Sequence, residues 1–283
     1  MPPGIRQRCS VTIITLNEER NLRDCLATVS WADEIIIVDS GSIDRTLEIA
    51  REFNTKIFRN PWTGMREQKN FAAEKASGPW IFNLDADERI TAEGQEEILA
   101  TIANPAVEAY SVPRKNFFLG KWMRHGGWYP DDVIRLYRKD KGEYGGINPH
   151  AGVVLKSGKT ARLRQPLIHY TYNSFEHYIS KQYPYSDAAA CELAARGKLP
   201  SFPALQIFLK TTWKFIEVFV IKRGFLDGTH GLVAAFGSTF AAYLKQARLW
   251  ELSRDRAQTF LSASAAKPPA DKLADRNVRA PLK

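Results

Sequence analysis

An α/β fold, with a mostly parallel sheet flanked by helices and a helical C-terminal region, is predicted by three observations. Continuous apolar runs alternate with segments of helical periodicity from Ser10 to Ile102. The spacing suits right-handed βαβ units, whose sheets are buried on both faces. Finally, three of the runs stop at polar residues, Asn17, Asp39 and the pair Asp85/Asp87, which is where ligands bind in open α/β sheets.

The run Ser10–Leu16 reads as the first strand. Asn17 follows as a helix N-cap, with Glu18 and Glu19 in the first turn and Leu22, Cys25, Leu26 and Val29 at helical spacing. Glu34–Asp39 is the second strand, and Ser40-Gly41-Ser42 leads from it into a helix starting near Asp44. A short third strand at Lys56–Phe58 and a helix over Met65–Ala76 precede Pro79–Leu84, an apolar run that ends at Asp85 and Asp87. In extended backbone, positions i and i+2 share a face, so these two carboxylates project together beyond the strand. Paired carboxylates repel unless a cation joins them, and oxygen ligands favour Mg2+ or Mn2+, with substrate phosphates completing the shell. The same spacing also occurs in solvated turns, so the pair alone does not establish a metal site.

Composition narrows the function classes. The 283-residue chain carries a formal net charge of +9, which favours anionic company. Its three cysteines lack metal-ligand or disulfide spacing, and no apolar signal segment follows Met1, so a cytoplasmic setting is expected. No Gly-x-Gly-x-x-Gly follows the first strand and there is no Walker lysine motif, which removes the dinucleotide and P-loop readings. The basic charge is scattered and no DNA- or RNA-binding motif accompanies the seven tryptophans, so no nucleic-acid partner is expected.

Four segments together resemble the family 2 glycosyltransferases of the Rossmann-like GT-A fold: Thr12–Glu19, Val38–Thr46, Gln68-Lys69-Asn70 and Leu84–Glu88. The resemblance implies a UDP-sugar donor site formed by Thr15, Asn17, Glu19, Asp39, Ser40, Gly41, Lys69, Asn70 and Asp85. Within it, Asp39 would hold the uracil or ribose side. Asp87 would ligate the metal that bridges the diphosphate, and Asp85 would contact ribose or metal. Some GT-A enzymes add a histidine to that shell, and His169 follows a strand that could end there; His150 is a weaker candidate, standing where relatives show His-Glu but followed here by Ala151. The segments Phe117–Trp122, Gly126–Asp132 and Ile134–Arg138 resemble a narrower group, the lipopolysaccharide core β-1,4-glucosyltransferases. Aromatics beside a carboxylate suit a sugar site. By this likeness Asp131 is the candidate general base and Asp132 the reserve, acting on a lipid-linked saccharide acceptor. The alternative is a non-catalytic nucleotide- or glycan-binding protein on the same fold.

The expected layout is a disordered N-terminus over 1–8, the GT-A domain over 9–172, a helical acceptor or membrane-associated region over 173–252, and a disordered tail over 253–283. Phe202–Ile221 and Gly231–Trp250 read as amphipathic helices, too interrupted by charge to span a bilayer. Such helices either pack on the sheet or lie on an anionic membrane surface, peripheral to the inner face of the cytoplasmic membrane.

Overall fold

The computed structural model describes residues 7–146 and 151–265, with side chains to residue 255. The first half is the predicted alternation. Strand β1 (Cys9–Thr15) is followed by α1 (Leu22–Ala27), β2 (Glu34–Asp39), α2 (Thr46–Arg51), β3 (Thr55–Arg59), α3 (Met65–Lys75) and β4 (Trp80–Asp85). The four strands are parallel neighbours in the order β3-β2-β1-β4. Their continuous apolar runs fill both faces. Val11, Ile13, Ile37, Phe82 and Leu84 share one cluster with Leu22 and Leu26 of α1 and Ile49 of α2, and Ile36, Val38 and Ile81 share another with Ala72 of α3.

The sheet then changes direction. A two-residue strand β5 (Glu88–Arg89) follows Asp87, and α4 (Ala92–Ala103) leads to the long strand β6 (Ala109–Phe118). Next come β7 (Lys121–Trp122), β8 (Asp132–Arg138), the hairpin of β9 (Gly142–Gly145) and β10 (Gly152–Leu155), then β11 (Thr160–Arg162) and β12 (Leu167–Tyr172). Strand β8 lies antiparallel between β4 and β6, while β12 joins β6 in parallel and pairs with β5 on its other side. The sheet therefore curls back so that β5 and β12 face the carboxyl end of β4.

Three helices complete the chain: α5 (Phe175–Ala195), α6 (Pro203–Phe215), which runs on as a π-helical segment over Ile216–Ile221, and α7 (Gly228–Ala265) after a 3-10 turn at Gly224–Asp227. Helix α7 packs closely on both of its neighbours. A Cβ on Gly237 would fall 2.1 Å from the Tyr178 hydroxyl of α5, and one on Gly231 would fall 1.8 Å from the Gly224 carbonyl oxygen. Glycine is what lets these backbones approach.

Local expectations are corrected in three places. Asn17 is not a helix cap: it takes a left-handed conformation, φ 56°, and α1 starts only at Leu22. Gln7 and Arg8, expected to be disordered, hold Trp80 through a 2.9 Å side-chain bond and a backbone bond. The helix expected over Gly231–Trp250 does not stop there but continues to Ala265, into the stretch expected to be a disordered tail, and residues 266–283 lie outside the described set. His150 also lies outside it.

One buried carboxylate ties the amino ends of the central strands together. Glu34 accepts hydrogen bonds from Ser10 Oγ at 2.7 Å, the Ser77 backbone at 2.8 Å and Lys56 Nζ at 2.5 Å. Burial alone would raise its pKa, but these donors outweigh it and hold the carboxyl at about 2. A folded-state value below the unfolded one stabilises the protein above the unfolded pKa. That stability is lost as pH falls through the folded value. Between pH ~4.5 and ~2 the wild type should lose on the order of 3 kcal/mol through this group, and Glu34→Gln should lack that part of the acid dependence. Denaturant titrations of both proteins at pH 6, 4 and 3 measure the difference.

Candidate functional site

The loops at the carboxyl ends of β1 and β2 are bound to each other. Asn17 accepts from the Ile43 amide at 2.9 Å and gives its own amide to Ser42 Oγ. Glu19 accepts from the Arg45 amide, and the Glu19 amide bonds Asp44. Asn is among the few residues that tolerate φ > 0, which explains its place at this junction. Asp39 is fully buried, and its two oxygens accept from Thr15 Oγ1, the amides of Gly41 and Ser42, and Ser42 Oγ. Four donors fill a carboxylate's four lone-pair positions. In this conformation Asp39 braces the loop that presents Ser40 and lines neither of the clefts described below. Gly41, at φ 106°, is the residue that allows the loop to wrap around it.

Beneath these loops lies a buried ionic cluster. Asp85 Oδ1 accepts from Lys69 at 2.7 Å, and Asp85 Oδ2 from Arg135 at 2.5 Å. The same guanidinium bonds Glu88 and Asn83, while Glu88 accepts the Asp85 amide and faces Arg114 at 3.4 Å. Burial pushes the Asp85 carboxyl up, but the charges of Arg135 and Lys69 prevail and hold it well below the usual range. Asp85 is thus already neutralised by two cations, which removes the electrostatic reason for it to bind a third. Asp85 keeps its place beside the cleft with one oxygen on Lys69 and the other on Arg135. Asn70, expected in the donor pocket, instead exchanges two hydrogen bonds with the Tyr144 backbone and fastens β9 to α3.

Removing the central cation should be costly. Arg135→Met leaves Asp85 and the fully buried Glu88 short of a counter-charge, and losing one partner of a buried pair costs about 3–5 kcal/mol. Lysine at 135 should recover only part of this, because one ammonium cannot reproduce the guanidinium fork. Denaturation midpoints of the two variants give the comparison.

Asp87 lies outside this cluster. Its Oδ2 is 3.5 Å from His169 Nε2, brought there by the pairing of β12 with β5 and by the bond from the Tyr170 amide to the Asp87 carbonyl. On the far side of the ring, His169 Nδ1 is 2.6 Å from Asn116 Oδ1, and the Asn116 amide nitrogen donates to Trp128 O and to Asp131 Oδ2. Because that nitrogen is committed as a donor, Asn116 presents its oxygen to the histidine, so Nδ1 carries the proton. Nε2 of a neutral His169 then turns its lone pair toward Asp87, the arrangement seen when histidine serves as a metal ligand. Burial disfavours the imidazolium, but the hydrogen bond and charge of Asp87 outweigh it and raise the His169 pKa. Asp87 and His169 could together hold a divalent cation with positions left open. No group of three His, Cys, Asp or Glu converges among the described residues, so phosphate and water would supply the remaining ligands.

Asp131 completes the chain of contacts. Its Oδ2 also receives Arg114, through Nε at 3.0 Å and Nη2 at 2.7 Å, whereas Oδ1 has no bonded partner among the described residues. Asp132, the reserve base, is turned away: it bonds Arg162 on β11 at 2.9 Å and lines neither cleft.

Two clefts meet here. One, of about 540 Å3, is lined by Thr15, Ser40, Asp85 and Asp87, with Lys181 and Tyr185 of α5 across from them. The other, of about 520 Å3, is lined by Trp128, Asp131, Lys214, Val218 and Lys222. Arg114, His169, Thr171 and Tyr172 belong to both. The sequence reading passed over Arg114, Asn116, Glu88 and Arg135 as site residues. A charge inside the apolar strand Ile134-Arg135-Leu136 was a usable signal for the last, since a buried cation needs an anion nearby.

Comparison with known proteins gives the following likenesses. An uncharacterized glycosyltransferase of Rickettsia bellii is 31% identical over 97% of this chain and 98% of its own. The lipopolysaccharide core biosynthesis glycosyltransferase LpsC of Rhizobium meliloti is 30% identical over 86% of this chain and 92% of its own. Among solved structures, mannosyltransferase PcManGT from Pyrobaculum calidifontis, in complex with GDP-Man and Mn2+, aligns over 93% of this chain and 81% of its own with a TM-score of 0.49 and 14% identity. Residues 10–158 match the sequence model of Glycosyl transferase family 2. With that match covering the parallel strands, the loops at their carboxyl ends and the Asp85–Glu88 turn, the chain belongs to the family 2 glycosyltransferases.

Proposed function

We propose that the protein transfers a sugar, glucose by its likeness to the core glucosyltransferases, from a UDP-sugar to a lipid-linked saccharide such as lipopolysaccharide core, with inversion at the anomeric carbon. The observation that carries this reading is the unbroken contact chain Asp87–His169–Asn116–Asp131 between two adjoining clefts. The donor occupies the cleft beneath Thr15 and Ser40, and the acceptor occupies the cleft beside Trp128 and Asp131. The LpsC likeness supports a core saccharide as acceptor.

Asp131 acts as general base. Its Oδ1 takes the proton of the acceptor hydroxyl while that oxygen forms its bond to the anomeric carbon and the bond from that carbon to the diphosphate breaks. Arg114 and Asn116 fix Oδ2 and so orient the free oxygen. Asp87 and His169 are the residues that would hold a divalent cation, Mg2+ or Mn2+, and its positive charge would offset the charge gathering on the departing UDP. Asn116 holds the His169 ring in its ligating tautomer. Lys181, from α5, adds positive charge at the donor cleft.

The test is UDP release from a panel of UDP-sugars, with and without lipid-linked core saccharides, in Mn2+ and in chelator. Release that needs both acceptor and metal supports the reading. Release indifferent to both contradicts it.

A further inference from the structure

Helix α6 has no buried residue. Along it and its π-helical continuation, one stripe lines the acceptor cleft through Lys214, Val218 and Lys222, at i, i+4 and i+8. The opposite stripe is bare. Leu205, Phe208, Leu209, Trp213, Ile216 and Val220 are 38–65% exposed. Helix α7 adds Phe236, Phe240 and Tyr243, all exposed, and Phe215 against Phe236, ring centroids 5.0 Å apart, joins the two helices side by side. A contiguous apolar face of bulky side chains on a water-facing pair of helices marks an interaction surface.

Charge selects the occupant. Between residues 202 and 250 the sequence holds six lysines and arginines against two acids. Of those acids, Asp227 is buried against the backbone amides of Arg124 and His125, and Glu217 is paired with Lys214 and Lys222. Arg248 is paired with Asp187 and Glu251, while Lys245 has its pKa lowered by burial and then by the nearby charges of Lys214 and Lys210, which places three ammonium groups close together with Glu217 as the acid among them. An apolar face edged by surplus cations fits the interface of an anionic bilayer, with aromatic and aliphatic side chains below the head groups and lysines at their level. No helix among the described residues is long and apolar enough to cross a membrane, so the pair would lie along the surface.

We infer that the outer face of α6 and α7 docks the protein on an anionic lipid surface, and that α6 thereby separates bilayer from acceptor cleft by the width of one helix, about 10–12 Å with side chains. A saccharide anchored in that surface reaches the cleft by passing along Lys214 and Lys222. This rests on the acceptor assignment proposed above and names where that acceptor is presented.

Flotation of the full chain with vesicles of phosphatidylcholine alone and of phosphatidylcholine with phosphatidylglycerol tests it, alongside Phe208→Ser/Trp213→Ser, whose two side chains are 65% and 57% exposed. The wild type should float with the anionic vesicles, at least about tenfold less with neutral ones, and the double variant should lose that binding. Equal flotation on both vesicles, none on either, or undiminished binding by the double variant would overturn the inference. So would light scattering showing a dimer that the double variant converts to monomer, since a second copy would then cover the face. UDP binding measured on the same preparations is independent of these outcomes, which separates failure here from failure of the transfer reading.

Discussion

Asp87→Asn should abolish metal-supported nucleotide binding while leaving the fold intact. The carboxylate lies outside the Lys69–Asp85–Arg135–Glu88 cluster, so its charge is not needed to balance a buried cation. An amide at 87 keeps the size but loses the negative oxygen that a hard cation requires. His169 alone would remain. Titration with UDP in Mn2+ should therefore give the same weak response as titration without metal, at an unchanged melting temperature. Asn116→Ala is the graded version of this experiment. It removes the partner that fixes the His169 tautomer, and loss of such an outer contact costs roughly 10–100-fold in metal affinity. Loss of UDP binding in Asn116→Ala with full binding in Asp87→Asn would reverse the roles assigned to them.

Asp131→Asn should behave differently. Donor and metal binding should stay near the wild-type level, because Asp131 lines only the cleft proposed for the acceptor. Transfer should fall by roughly 10²–10⁴, the usual worth of a general base. Asp132→Asn serves as the control: its bond to Arg162 is on the surface, and its loss should leave turnover within a factor of about two. Steady-state transfer together with UDP titration separates the two effects. Equal loss of nucleotide affinity in Asp87→Asn and Asp131→Asn would sink the division of labour between the clefts.

The parallel half of the fold was legible because its signal is local. Continuous apolar runs ending at polar residues name both the strands and the sheet edge where the site lies. The meeting of Asp87 with His169 was legible only as a family expectation, since it depends on β12 pairing antiparallel with β5, a register between segments about eighty residues apart. Asn116 was invisible for the same reason: nothing near it in sequence says that it sits opposite His169. Asp39 is ambiguous for another reason. An acidic residue before Ser-Gly-Ser reads equally well as a ligand contact or as the anchor of a turn, and in this conformation its four donors make it an anchor. The end of α7 was missed because Glu251–Ala265 lacks an apolar period, yet it is free of Gly and Pro and contains good helix formers. Amphipathicity identified the α6 and α7 helices but not which faces they bury. The packing supplies that: α7 fills the space against α5, and α6 keeps its aromatic stripe outside.

The most direct test of the account is a calorimetric titration of the wild-type protein with UDP, with and without Mn2+. Binding that appears or strengthens sharply with Mn2+ is the predicted result, and it should disappear in Asp87→Asn. UDP binding of equal strength with Mn2+ and in chelator would contradict the metal-diphosphate site at Asp87 and His169 on which the proposed chemistry rests.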